Sequence, residues 1–378
     1  MLPPLPSDCI QWLPAFQIEP THWHLAGRPL RKTIADTRHS QDNAGLEEYP
    51  VTMPNRLTVD ERLKQLRDLS RERDHSRIQA AVIQALADKT NLIIAQAAQL
   101  IYDLEISGAE PALVAAWQRL VKHPDPIKAD KGCRAKEAII QALGHLGYDN
   151  PDLSLEGLVY KQTEPAWPKA VDTADNVRAG CAFALARSRG LRIIDKLNAF
   201  VGYLQGERVD RLNACKAIAD TGHESGIPLL RMKLLADNDF PDVLGTCMTG
   251  LMTLNAKSSL PVVSNFLDHD NEQIVVEAAV ALGTCGLSEA VNLLIDRYKR
   301  GVDDEIRRSL LISIGLSRHA LATDFLVEQL HNNALIDSIL LALKPACMYD
   351  ETRRKVRQSL ESFNDTLLIK RFDRTISN

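Results

Sequence analysis

The chain has 378 residues, 45% of them hydrophobic and 25% charged, with Lys+Arg 45 against Asp+Glu 49 for a formal net charge of −4. This is a globular composition. The charge speaks against a general binder of nucleic acid or anionic membrane, which needs a strong cationic footprint, and no apolar run approaches the roughly 18 residues of a membrane span. Aromatic residues make up only 5%, so aliphatic and small side chains must build the core.

In chain order, residues 1–56 come first, with Pro3, Pro4, Pro6, Pro14, Pro20, Pro29, Pro50 and Pro54, Trp12 and Trp23, and no helical period. They read as a Pro-rich arm, either docked by its aromatics or flexible; a translation start at Met53 would remove nearly all of it. The opening residues lack the basic and apolar regions of a secretory signal. A helical pattern begins at Leu57 and holds to the end, predicting one elongated domain over 57–378 that closes on a capping helix. Residues 58–69 form a first helix. Alternating first and second helices follow: 77–87 with 92–106, 110–122 with 133–146, and 153–160 with 173–187.

A small residue followed by a large aliphatic one recurs late in successive helical segments. The pairs are Ala142-Leu143, Ala184-Leu185, Ala217-Ile218, Gly250-Leu251, Ala281-Leu282, Ser313-Ile314 and Ala342-Leu343, at spacings of 42, 33, 33, 31, 32 and 29. A period of about 32 accommodates two helices of three to four turns and two tight turns. In 271–285, Ile274, Ala278, Leu282 and Cys285 share one face of an amphipathic helix that Gly286 ends. Asp172, Asp239, Asp270, Asp303 and Asp304 stand near helix starts, where a carboxylate caps free amides. One such pair cannot bury its apolar face alone; stacked pairs can, and the expected fold is an all-α solenoid.

An acidic residue, an aliphatic-Arg pair and then a small-x-x-small-Leu run recur at Asp175–Leu185, Arg211–Ile218, Asp242–Leu251, Glu272–Leu282 and Asp304–Ile314. The pattern resembles HEAT repeats, and its short period is most similar to the HEAT-like repeats of the phycobilisome-lyase type. The Arg stands at Arg178, Arg211 and Arg307 but gives way to Leu244 and Val275. The resemblance implies a right-handed superhelix of stacked helix pairs. It fixes no activity, because such repeats serve scaffolds, adaptors, lyases and a few enzymes.

Two successive connections between first and second helices are long, His123–Gly132 and Lys161–Asp172, where later ones are short, as at Gly206–Val209. Equivalent loops of neighbouring repeats emerge on one edge, so these two should lie side by side, and insertions on one edge often make a binding face. Lys128, Lys131 and Arg134 from the first, with Glu164, Trp167, Asp172 and Arg178 from the second and the helix after it, are the candidate binding residues. Proline at 124, 126, 165 and 168 stiffens both loops. A Trp between charges on a stiff loop suits an interface anchor. The competing reading has Trp167 fold back over helix ends and Asp172 or Thr173 only cap a helix. Glu164-Pro165-Ala166-Trp167 with Asp172-Thr173-Ala174 also resembles a recurrent block of bacterial HEAT-like proteins of unknown role.

Chemistry-bearing constellations are scarce. The seven cysteines include no C-x-x-C pair, so neither a disulfide framework nor zinc is indicated and reduced cytoplasmic thiols are expected. Cys181, Cys215 and Cys247 lie on successive second helices, whose axes stand about 8–10 Å apart, too far for one metal or a disulfide. His22-Trp23-His24 and the single His223-Glu224 lack ligand partners; HEAT-like iron hydroxylases repeat such His-Glu pairs. No nucleophile elbow or phosphate loop is present. Residues 351–378 carry a local basic excess, the one feature favouring a DNA-binding solenoid.

The sequence therefore points to a cytoplasmic, non-enzymatic interaction scaffold with a protein partner on the loop edge, no cofactor, no metal and no catalytic residues. The alternative, from the resemblance, is a lyase or chaperone acting on a cofactor-bearing protein, as phycobilin lyases do. A DNA-binding solenoid ranks third.

Overall fold

In a computed structural model, residues 57–377 are described apart from 73, 302, 332, 362 and 364. The proposed arm, with its paired histidines at 22 and 24 and the Met53 start, lies outside them. The chain divides between Arg62 and Leu63 into two units. Helix α1 runs Val59–Leu69.

The fold is an all-α solenoid. One layer stacks α3 (Asn91–Asp103), α6 (Arg134–His145), α8 (Asp175–Arg187), α10 (Arg208–Asp220), α12 (Pro241–Ser264), α13 (Glu272–Thr284), α15 (Asp304–Leu316) and α17 (Ile336–Leu343), each packed on the next. The partner helices are α2 (His75–Leu86), α4 (Glu110–Val121), α7 (Pro151–Leu158), α9 (Ile193–Tyr203), α11 (Ile227–Leu235), α14 (Ser288–Lys299) and α16 (Ala320–Glu328). The C-terminal part of α12 serves as the partner of α13: extended backbone at Asn255 (φ −159°, ψ 93°) divides α12 in two. Short α5 (Pro126–Ala129) lies inside the first long loop, and α18 (Asp350–Glu361) with α19 (Thr366–Ser377) closes the array against α17.

The caps are local sequence chemistry. Asp74, Asn150, Asn271 and Asp303 accept from free amides at the starts of α2, α7, α13 and α15. Gly147, Gly222 and Gly286 take positive φ after α6, α10 and α13, the left-handed residue that ends a helix. Asp270 and Asp239 do not cap: Asn271 takes the first role, and Asp239 is held by Arg211 (2.7 Å) and Lys233 (2.6 Å).

One buried apolar cluster runs from Leu158 to Phe372, and all seven anchor aliphatics are buried within the array. Helix α13 departs from the single amphipathic face predicted for it. Ile274, Val275 and every residue from Glu277 to Gly283 are buried, because α12, α14 and α15 cover it from several sides. Close approach explains how: a Cβ on Gly283 would collide with the Ser313 carbonyl, and one on Gly315 with that of Ala342.

The cysteine reading needs one correction. Cys215 and Cys247 point into the same seam with sulfurs 3.3 Å apart, closer than axis spacing implied, because both side chains lean toward each other across α10 and α12. Both are free thiols, and the Cys215 hydrogen bond together with burial pushes the Cys247 pKa well up.

Candidate functional site

The loops 122–133 and 159–174 lie side by side on one edge, joined by a buried polar network. The second loop folds as a hairpin: β1 (Thr163–Glu164) pairs antiparallel with β2 (Val171–Asp172), Thr163 opposite Asp172 and Glu164 opposite Val171. The Thr173 amide donates to the Gln162 carbonyl at 2.9 Å and extends the ladder. Residues 165–170 form the tip, and the Trp167–Pro168 peptide is cis.

Along β1, Thr163 is exposed and Glu164 is buried. The Glu164 Oε1 accepts from the Gly132 amide (2.6 Å), Gln162 Nε2 (2.8 Å) and Thr173 Oγ1 (2.9 Å). Burial opposes its charge, yet those hydrogen bonds, with a smaller contribution from Lys131, hold its pKa below the ordinary carboxylate value. Gly132 offers that amide from a left-handed conformation (φ 73°), and Cys133 follows it at φ 53°.

Beneath the hairpin, Asp130 and Lys136 are both fully buried. Asp130 accepts from the amides of Ala135 (3.0 Å) and Lys136 (2.9 Å) and from Lys136 Nζ (3.3 Å). Lys136 also donates to Gln162 Oε1 (3.0 Å), while Gln162 Nε2 reaches the Asp130 carbonyl (2.7 Å). Tyr160 completes the set through its hydroxyl to Gln162 Oε1 (2.9 Å). A buried ion pair survives only when its remaining polar atoms are satisfied, and here both loops supply the partners. The first loop cannot move without stranding charges of the second.

Arg178, 4% exposed, closes the base. It donates to Asp172 Oδ2 (2.7 Å), to the Tyr160 carbonyl (3.0 Å) and, across to the next repeat, to Asp210 Oδ1 (2.8 Å). Burial disfavours its charge, but Asp210 and Asp172 more than compensate and raise its pKa. Asp172 takes the amides of Gln162 and Ala174 as well (both 3.1 Å). Despite burial, those bonds and Arg178 hold its pKa below the ordinary value.

The seven sequence candidates thus separate. Glu164, Asp172 and Arg178 are consumed in the hairpin's foundation, the first and last buried and Asp172 partly so. Lys128, Lys131, Arg134 and Trp167 are exposed, and the Trp167 indole is 96% exposed. It does not fold back over helix ends, and neither Asp172 nor Thr173 caps α8, which starts from Ala174 without a side-chain cap; Asp172 instead closes a turn on the Ala174 amide. Asp130, Lys136 and Gln162 stood outside the candidate set, and no local pattern announces their burial in a charged loop. Cys133 beside them is no ready nucleophile: burial outweighs its Thr173 contact and pushes it up to about 11.

Elsewhere the sequence candidates are occupied. His223 accepts from the Ser225 amide (3.2 Å) and Glu224 from Asn255 (2.8 Å). No group of three His, Cys, Asp or Glu that could hold a metal occurs among the described residues. The C-terminal basic excess is largely paired: Lys355 with Asp324 (2.7 Å), Arg357 with Asp373 (3.1 Å) and Arg371 with Asp337. No helix among the described residues is long and apolar enough to cross a membrane.

Comparison with known proteins gives a family model described as HEAT repeats, matching residues 231–315. No curated protein matches. Among solved structures, the complex of CpcE and CpcF of phycocyanin lyase from Nostoc sp. PCC7120 aligns at a TM-score of 0.37 and 16% identity, covering 84% of this chain and 99% of that one. An engineered protein aligns at a TM-score of 0.37 and 14% identity, covering 84% and 98%. At such scores these alignments carry no functional argument.

Proposed function

We propose that this chain, a stack of HEAT repeats, is a cytoplasmic interaction scaffold that holds a protein partner on the edge built by loops 122–133 and 159–174. One observation carries the reading: the Trp167 indole stands 96% exposed at the tip of a hairpin whose base is locked by buried charges. A large aromatic held in water on a preorganised support loses little entropy on binding and contributes disproportionately when buried. Extended repeat arrays present such edges to proteins as a matter of architecture.

The test is affinity capture from the native host with wild type beside Trp167→Ala, followed by reconstitution from purified components. The indole contacts nothing that the fold needs, so the variant should melt as wild type does. A stoichiometric partner bound by wild type and lost by Trp167→Ala is the expected outcome. A partner held equally well by both would remove the edge from the reading. A chromophore copurifying with the wild-type chain would move it to the cofactor-handling lyase class.

A further inference from the structure

The two loops hold acids and bases in comparable number, yet the fold sorts them by direction. Asp130, Glu164 and Asp172 turn inward and are spent on backbone amides, Lys136 and Arg178. Asp125 caps α5 through the Lys128 amide (3.0 Å). Lys128, Lys131, Arg134, Lys161 and Lys169 all face solvent, and no carboxylate among the described residues lies within salt-bridge distance of any of them. The edge around Trp167 is therefore cationic on a chain whose formal net charge is −4. Val171, 49% exposed at the start of β2, adds apolar surface next to the tip.

We infer that this edge takes an acidic peptide segment of a partner protein. An apolar side chain of that segment covers Trp167 and Val171, and its carboxylates face the lysines and Arg134. Charge complementarity of this kind accelerates encounter and selects the partner more than it adds raw affinity. Trp167 supplies the contact that holds. A single-stranded nucleic acid is the other polyanion to weigh, but sequence-tolerant strand binding uses successive aromatic platforms along a continuous basic groove. The edge offers one fully exposed aromatic, Trp167, since Tyr160 is tied to Gln162.

This inference rests on the scaffold reading, and the experiment separates the two. Fluorescein-labelled synthetic peptides of repeating Glu-Glu-Leu and Gln-Gln-Leu, and an oligothymidylate of equal length, are titrated into the full-length chain and followed by anisotropy. The Glu peptide should bind at least about tenfold tighter than the Gln peptide and the oligothymidylate, and weaken with added salt. Lys128→Glu/Lys131→Glu/Arg134→Glu and Trp167→Ala should each weaken it by about tenfold or more, with unchanged circular dichroism. Equal binding of Glu and Gln peptides, absent binding of the Glu peptide, or indifference to the charge reversal would overturn the acidic assignment. Tighter oligothymidylate binding would replace it with nucleic acid. If the captured partner needs Trp167 but not the cations, the scaffold stands and the acidic chemistry falls. If no partner needs Trp167, the scaffold placement itself fails.

Discussion

Replacing Glu164 by Ala tests whether the hairpin is fastened as described. The carboxylate accepts three hydrogen bonds, from the Gly132 amide, Gln162 and Thr173, at 2.6 to 2.9 Å. Hydrogen bonds to a charged acceptor contribute about 1.5–3 kcal/mol each, and stranded buried donors add a penalty. Against this stands the recovered cost of burying the carboxylate, and water reaches an edge site readily. The net is about 3 kcal/mol, lost locally and not from the whole array, because repeats couple only to neighbours. At about 1.4 kcal/mol per factor of ten, opening of the hairpin should become about 100-fold more frequent. Hydrogen exchange with peptide-level mass spectrometry reads this directly. Peptides covering 159–174 and 130–136 should lose about two decades of protection in Glu164→Ala, while those of α13 keep theirs. Glu164→Gln, which retains an oxygen at that position, should lose much less. Unchanged protection at 159–174 in Glu164→Ala would refute the view that this carboxylate holds the two loops together.

Three further outcomes follow from the same geometry. Glu164 and Asp172 both have pKa values below their unfolded ones. Their stabilisation is complete above the unfolded values and disappears as pH falls through the folded ones, so protection of 159–174 should fall off below about pH 4. Nuclear magnetic resonance or exchange at stepped pH checks this, and hairpin protection constant to pH 2 would contradict it. Glu277 behaves oppositely: burial, reinforced by Asp242, raises it to about 7 against one opposing bond from Gln273. The fold therefore loses stability as pH rises from the unfolded value of 4.5 through 7. Glu277→Gln should match wild type near pH 4 and exceed it by up to about 3 kcal/mol above pH 8 in denaturant melts; equal melts at high pH would count against a neutral, buried carboxyl. Gly283→Ala and Gly315→Ala should each destabilise by about 1–3 kcal/mol through overpacking against a neighbouring backbone, despite the helix propensity gained. Gly144→Ala and Gly202→Ala, with nothing near the added methyl, should be neutral or stabilising by about 0.5–1 kcal/mol. Thermal melts that rank all four alike would refute the close-approach assignment.

The repeat was legible because burial leaves a periodic mark. A small residue followed by a large aliphatic one every 29 to 42 positions reports the same seam each time, and every anchor aliphatic in that series is buried. Loop lengths carried equally far: two long connections in consecutive repeats had to emerge on one edge, and their hydrogen bonds join them there. What composition could not convey was direction. Glu164 and Lys169 are five residues apart in one polar loop, and nothing local says that one is buried beneath Gly132 and the other faces water. The hydrogen bonds from Gly132, Gln162 and Thr173 decide it, and the first comes from a residue 32 positions away. Gly283 and Gly315 were likewise unread, since they follow the anchor pairs by one position and look like ordinary helix glycines until a neighbouring carbonyl is seen against them.

The foundation of the hairpin and its display have separate chemistries. Everything that fixes the loop's position sits at or before Glu164 and at or after Asp172, on amides and on Lys136 and Arg178. The intervening tip, 165–170, is wholly exposed. Those six positions could therefore be rewritten without renegotiating how the array folds. The edge is a socket, and the tip is an exchangeable part: an engineer could seat a foreign epitope or a short binding loop between Glu164 and Val171 and keep the repeats beneath it intact.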